Sequence, residues 1–303
     1  MQRYRVQHLT SYEYSEAVSL AYNEARLLPR SFETPLYAQH CLHHQLNISP
    51  RPRDRHGRAD FFGNHVIFFS FDEGYQAMTI DSTSYVQRSS PFDQAGVRAY
   101  LQEGLADLNW ADVIKTLKSG VDSWPPVQQF SLASVQVPLL EEARNYAALS
   151  FDRTTSFIEA VLELMTRIYE DFSYTPGATQ IGTPLKTIAA EKKGVCQDYS
   201  HFMIACLRSL GFACRYVSGY LETLPLPGKE RLVGADASHA WCSVYIPEFG
   251  WLDLDPTNNQ VPLEQHISVA WGRDYDDVTP LKGVIYSSGK QTLKVSVDVA
   301  PQA

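Results

Sequence analysis

The stretch Gly194-Val195-Cys196-Gln197-Asp198-Tyr199-Ser200-His201-Phe202-Met203-Ile204-Ala205-Cys206-Leu207-Arg208-Ser209-Leu210-Gly211 decides the fold. Tyr199, Phe202, Met203, Cys206, Leu207 and Leu210 recur at the period of one helical face, which predicts a buried helix. It starts at Cys196 or just after, runs to about Leu210 and stops at Gly211. Gly194 lets the chain turn tightly into it. A cysteine therefore stands at a helix N-terminus, where free N–H groups and the helix dipole favour an anion; the thiolate is the nucleophilic form of cysteine. Cys206, Cys214 and Cys242 read instead as small buried hydrophobes.

Downstream of this helix, Ala213 to Leu221 alternates as a strand, His239 to Ile246 is a second and Gly250 to Leu254 a third. The link Ile246-Pro247-Glu248-Phe249-Gly250 contains Pro and Gly, which predicts a hairpin. Pairing Tyr245 with Trp251 places Ser243 opposite Asp253, Trp241 opposite Asp255 and His239 opposite Thr257. Odd-numbered side chains then share a face, and Asp255 becomes the diagonal neighbour of His239. A slip of one residue would put the two on opposite faces. Asp253, two positions further away, reads as solvated or structural. A carboxylate on the distal nitrogen of a histidine fixes its tautomer and turns the ring toward a nucleophile.

Upstream, Phe157 to Tyr169 has helical periodicity, with Ser156 and Glu159 spaced as a capping box. A further helix opens at Thr183-Pro184, with Thr183 as N-cap and Pro184 at the first helical position, and runs to Lys192-Lys193-Gly194. Residues 1–88 read as short strands with Pro, Gly and Asp punctuation, a β-sandwich-like domain. Residues 89–150 read as a helical connector, with helices near 94–104, 111–120 and 138–149 and a loop at Ser123-Trp124-Pro125-Pro126. Residues 151–303 form the core, ending in a strand from Gln291 to Val299.

Composition narrows the function. The chain has 303 residues, 44% hydrophobic and 20% charged, a globular profile. Its net charge of −8 argues against nucleic acid and against an anionic membrane surface as partners. No apolar run approaches the roughly 18 residues of a membrane span, and the first residues lack a secretory apolar core, so the cytoplasm is the expected location. The five cysteines, an odd number and scattered, do not form a disulfide scaffold. No Cys-x-x-Cys or His-Glu-x-x-His spacing occurs, and neither a metal nor another cofactor is expected. Asp274, Asp276 and Asp277 read as a solvated acidic loop rather than a Ca²⁺ site, since they lack the regular ligand loop.

The segments Gly194 to Tyr199, Leu207 to Tyr220, Ser238-His239-Ala240-Trp241 and Gly250-Trp251-Leu252-Asp253-Leu254-Asp255-Pro256-Thr257-Asn258 together resemble the transglutaminase-like superfamily of papain-fold thiol enzymes. The β-rich first ninety residues resemble the N-terminal domain of its bacterial members, and Gly272-Arg273-Asp274-Tyr275-Asp276-Asp277-Val278-Thr279-Pro280 resembles their tail. Cys214 departs from the pattern, standing where relatives commonly carry Pro. The resemblance implies an α+β fold: a papain-like core, with the cysteine-bearing helix packed on an antiparallel sheet, preceded by the β-sandwich-like domain. It implies that Cys196 is the nucleophile, His239 the general base and acid, and Asp255 the carboxylate that orients it. Thiolate attack on the amide carbonyl of a peptide, protein or small amide would give a thioester, passed on to water or to an amine; the sequence leaves these two fates open. Gln197, Tyr220, Trp241 and Trp251 are candidate neighbours of the cleft. A non-catalytic protein-binding module on the same scaffold is the alternative. The oligomeric state is not legible.

Overall fold

A computed structural model describes residues 1–121, 126–222 and 238–302. The N-terminal region holds β1 (Gln2–Val18), β2 (Leu20–Ala25), β3 (Phe32–Glu33), β4 (Ala38–Ser49), β5 (Asp54–Ala59), β6 (His65–Phe71) and β7 (Tyr75–Ser89). The connector holds α1 (Gln94–Gly104), α2 (Trp110–Ser119), a 3-10 turn at Val127–Ser131 and α3 (Glu141–Phe151). The core follows with α4 (Phe157–Asp171), β8 (Ser173–Tyr174), α5 (Leu185–Glu191), β9 (Lys193–Gly194), α6 (Cys196–Ser209), β10 (Cys214–Leu221), β11 (Ser238–Ile246), β12 (Gly250–Leu254), β13 (His266–Gly272) and α7 (Tyr275–Val278). The chain closes with β14 (Leu281–Tyr286) and β15 (Gln291–Gln302). Of the expected loop Ser123-Trp124-Pro125-Pro126, all but Pro126 lies outside the described residues.

The sheets explain the layering. A five-stranded sheet runs β15-β1-β7-β4-β3 and a four-stranded one β14-β2-β6-β5. Tyr14, Val18 and Ile80 of the first meet Ala21, Phe69 and Phe71 of the second in one buried cluster, so the two form a sandwich. On β1 the even-numbered residues from Tyr4 to Thr10 are all buried, the period-two pattern of a strand with one covered face. Tyr4 and Val6 on that face join the cluster of the α/β core rather than that of the sandwich. The larger N-terminal sheet thus spans both hydrophobic centres.

The core sheet runs β12-β11-β10-β13, and α6 packs on β10 and β11. The N-terminal region is fastened to this sheet by buried polar contacts. Gln39, fully buried, accepts from Ser268 N at 2.9 Å and donates to Ser268 O at 2.7 Å, and Tyr37 OH donates to Asp253. Asp253 is therefore structural and not solvated; it is 5% exposed. Burying such groups is tolerable only because each is matched by a partner.

Three expectations need correction. The C-terminal strand does not belong to the core: β15 pairs with β1 along its length and β14 with β2, so the last twenty-odd residues complete the N-terminal sandwich. Alternation reveals a strand but carries no information about its partner. Thr183 does not cap α5. Pro184 takes that position, while Thr183 Oγ1 accepts from Gln180 N at 2.9 Å. Asp274 is not in a solvated loop. It is 2% exposed, caps α7 through Asp276 N and accepts from Gln136 N, while Asp277 pairs with Arg273. Among the described residues, no helix is long and apolar enough to cross a membrane.

Candidate active site

Cys196 is the first residue of α6 and is half-buried. The preceding backbone is held by a short parallel pair, β8 on β9, in which Thr175 N donates to Gly194 O at 2.8 Å. Asp198, one turn into the helix, reaches back: its Oδ2 accepts from Val195 N at 2.8 Å and from Thr179 Oγ1 at 2.6 Å. A Cβ at position 194 would lie 2.4 Å from that same oxygen. Gly194 is thus required by close approach of the capping carboxylate rather than by a helix ending there; α5 already ends with Lys192 in the left-handed region, φ 52°.

The hairpin brings the imidazole and the carboxylate together. β11 and β12 pair in the register expected from their link, Tyr245 with Trp251 and Ser243 with Asp253. The ladder ends at Cys242 with Leu254, and Asp255 turns out of it through a bridge to Gln260. His239 Nε2 donates to Asp255 Oδ2 at 2.8 Å, and the Cys196 thiol lies close enough to the same ring to help raise its pKa. With Nε2 committed to Asp255, Nδ1 is the nitrogen left for sulfur. Burial pulls the imidazole pKa down, but the Asp255 charge and hydrogen bond, aided by Cys196, reverse this and hold it at about 10.

Asp255 is fully buried and saturated with donors. Besides His239, its Oδ2 receives Asn258 Nδ2 at 2.7 Å and His266 Nε2 at 2.9 Å, while Oδ1 receives the backbone of Thr257 at 3.0 Å and of Asn258 at 3.3 Å. Burial alone would raise its pKa; the two histidines overcome this and hold it well below the usual carboxylate range. His266 is pushed the other way, downward, chiefly by burial, with Asp255 opposing. It is therefore the neutral donor of the pair.

His266, on β13, was missed by sequence reasoning, and Asn258 had been noted without a role. Nothing local signals His266: it reaches Asp255 from the far side of β10. The crossing depends on Gly219, which pairs with His239 on one side and with Ser268 across a bulge on the other. A Cβ there would lie 2.1 Å from Ile267 O and 2.7 Å from Trp241.

The other candidates separate. Trp241 is fully buried, its ring 6.0 Å from that of His239 and edge-on to His266 at 5.3 Å, so it walls the histidine pair from water. Gln197 lies half-buried in the first turn beside Cys196. Trp251 sits at the other end of the hairpin against Tyr245, Phe130 and Arg215, away from the thiol. Tyr220 is 3% exposed and its OH meets His8 Nδ1 at 3.0 Å, which makes it a tie to β1 and not a surface residue.

His239, Asp255 and His266 also present three ligand-type atoms within 4.8 Å of one another. Their N···O separations of 2.8 and 2.9 Å are those of hydrogen bonds. Two bonds of about 2.0–2.1 Å to one tetrahedral ion would set the ligand atoms roughly 3.3 Å apart. The cluster fits protons rather than a metal.

Comparisons with known proteins agree with this architecture. Residues 4–87 match the bacterial transglutaminase-like N-terminal region, and residues 146–256 match the transglutaminase-like superfamily. An uncharacterized protein of Mycobacterium tuberculosis (strain ATCC 25618 / H37Rv) is 40% identical over 304 residues, covering 99% of this chain and 93% of its own. A protein-glutamine gamma-glutamyltransferase of Pseudomonas aeruginosa is 34% identical over 111 residues, 35% of this chain and 17% of that protein. A crystal structure from Cytophaga hutchinsonii, provisionally named a cysteine protease, has a TM-score of 0.68 at 20% identity and covers 99% of this chain and 98% of its own. That last likeness carries the fold over the full length.

Proposed function

The chain belongs to the transglutaminase-like superfamily, and on that premise we propose that it is a cysteine acyltransferase or hydrolase acting on an amide or peptide carbonyl. The observation that carries this reading is the Asp255–His239 hydrogen bond, with the Cys196 thiol at the head of α6 near enough to influence the same ring. Cys196 sulfur attacks the carbonyl carbon of R–CO–NH–R′. His239, holding the proton taken from the thiol, passes it to the leaving nitrogen, and R′–NH₂ departs. The resulting thioester R–CO–S–Cys is then opened by water, giving a carboxylic acid, or by a second amine, giving a new amide; His239 takes the proton from either acceptor. In this scheme the backbone N–H of Cys196, at the helix start, donates to the oxyanion. The local likeness to a protein-glutamine gamma-glutamyltransferase supports the amine branch, and the structural neighbour named as a protease supports the water branch. Five unpaired cysteines suit a reducing compartment, so cytoplasmic residence belongs to the same proposal.

Incubation with a panel of peptides and a labelled primary amine, read by mass, tests the reading. Wild-type protein should yield cleaved or amine-tagged peptides, and Cys196→Ala should yield neither. Equal product from both proteins would refute it.

A further inference from the structure

We propose that His266 is a positioning residue for this site, a neutral Nε2–H donor that locks Oδ2 of Asp255 against the ring of His239. The inference rests on the function proposed above and adds to it a fourth side chain, from a strand outside the hairpin.

The geometry makes the case. A carboxylate hydrogen-bonded only from its own loop shifts whenever that loop shifts. The donors to Oδ1 are backbone groups at positions 257 and 258, and one donor to Oδ2, Asn258, belongs to that loop too. The loop alone therefore tethers Asp255 from one side. His266 adds a hold from across the sheet, 2.9 Å from the oxygen that His239 uses, and is itself 1% exposed. Its ring cannot swing away, because Trp241 packs edge-on to it at 5.3 Å. The His239 and His266 rings stand 5.8 Å apart at 49°, so both N–H groups converge on Oδ2 without stacking. The charged groups facing His266 are Asp255, His239 and Arg88. Burial above all, with His239 and Arg88 beside it, discourages a second proton, which keeps the ring a donor through one nitrogen only. The β10 bulge at Gly219 is what admits this approach.

The test uses the full chain and para-nitrophenyl acetate. Thiolate attack on this ester forms acetyl-Cys196 and expels nitrophenolate, whose burst reports acylation without knowledge of the natural substrate. His266→Met keeps a long apolar side chain but no donor; His266→Gln keeps an N–H close to the original Nε2. The donor role predicts that Met slows the burst roughly tenfold, the usual scale for a lost hydrogen bond to a charged group, while Gln stays within about threefold of wild type. It also predicts that Gln rescues the burst lost in Met even where the two variants melt at the same temperature. A purely structural role would lower the melting temperature of both and slow their bursts in step with it. Equal bursts in the two folded variants overturn the proposal while leaving the functional reading intact. If wild-type protein shows no burst beyond that of Cys196→Ala, the functional reading falls and this proposal with it.

Discussion

Asp255 concentrates the electrostatics of the site in one buried charge. Five hydrogen bonds reach it. Asp255→Asn would exchange an acceptor for a group that also donates, and would leave His239 in the wrong tautomer. Turnover should fall on the order of 10³-fold with little change in fold, as assayed by ester burst and circular dichroism. Unaltered turnover would remove Asp255 from the account. The raised imidazole pKa sets a second expectation. The imidazolium needed to protonate a leaving amine is lost as pH rises through about 10, so acylation by an amide substrate should show an alkaline limb with its midpoint there. A limb near the ordinary histidine value would show that Asp255 does not govern the ring. At this scale the sequence made Cys196, His239 and Asp255 legible because each sits in a local pattern: a helix start, a strand and a hairpin of definable register. His266 was not, because a cross-sheet contact depends on strand order and on a bulge.

At the scale of elements, the site depends on two glycines whose role is lack of bulk. Gly194 leaves space for the Asp198 carboxylate that caps α6, and Gly219 leaves space for Trp241 and the β13 backbone. Gly219→Ala places its methyl against a backbone oxygen that cannot move away easily; it should cost about 1–3 kcal/mol, measured by urea denaturation. A ΔΔG near zero would mean that the bulge rearranges freely. The helices were readable from periodicity to within a few residues: α1 and α6 begin where the pattern places them. Thr183-Pro184 was misread because the threonine side chain found a partner in its own turn, at Gln180, before it could serve the helix. The hairpin register followed from its Pro-Gly link and alternation, since one slip would have exposed the covered face.

Across the whole molecule, the C-terminus closes the N-terminal sandwich, a connection that local pattern does not encode. Val297 and Val299 of β15 are buried at 1% and 0% exposure, each contributing on the order of 1.5–3 kcal/mol. Deleting residues 281–302 should therefore lower the melting temperature sharply and expose the edge of β1, with aggregation visible by light scattering. An unchanged melting temperature would contradict the pairing. Buried and half-buried histidines give the fold a dependence on acid. Burial pulls His8, His44 and His201 down to about 4, His44 aided by His65 and His201 by Arg208. Between that value and the ordinary 6.5 the unfolded chain binds more protons than the folded one, so these groups make stability fall as pH drops from about 6.5 toward 4. Urea midpoints at pH 7 and pH 5 should show the loss, and a higher midpoint at pH 5 would refute it.

Cys196 and His239 are proposed to work as one unit, and alkylation of the folded protein measures that most directly. Cys41 is half-buried and serves as an internal reference, its thiol pushed up by burial. With iodoacetamide at mildly acidic pH and peptide mapping by mass, Cys196 should react at least about tenfold faster than Cys41, the scale expected of an imidazole-paired thiol. His239→Ala should abolish that advantage. Cys196 reacting no faster than Cys41, or reacting equally fast with and without the imidazole, would contradict the central claim.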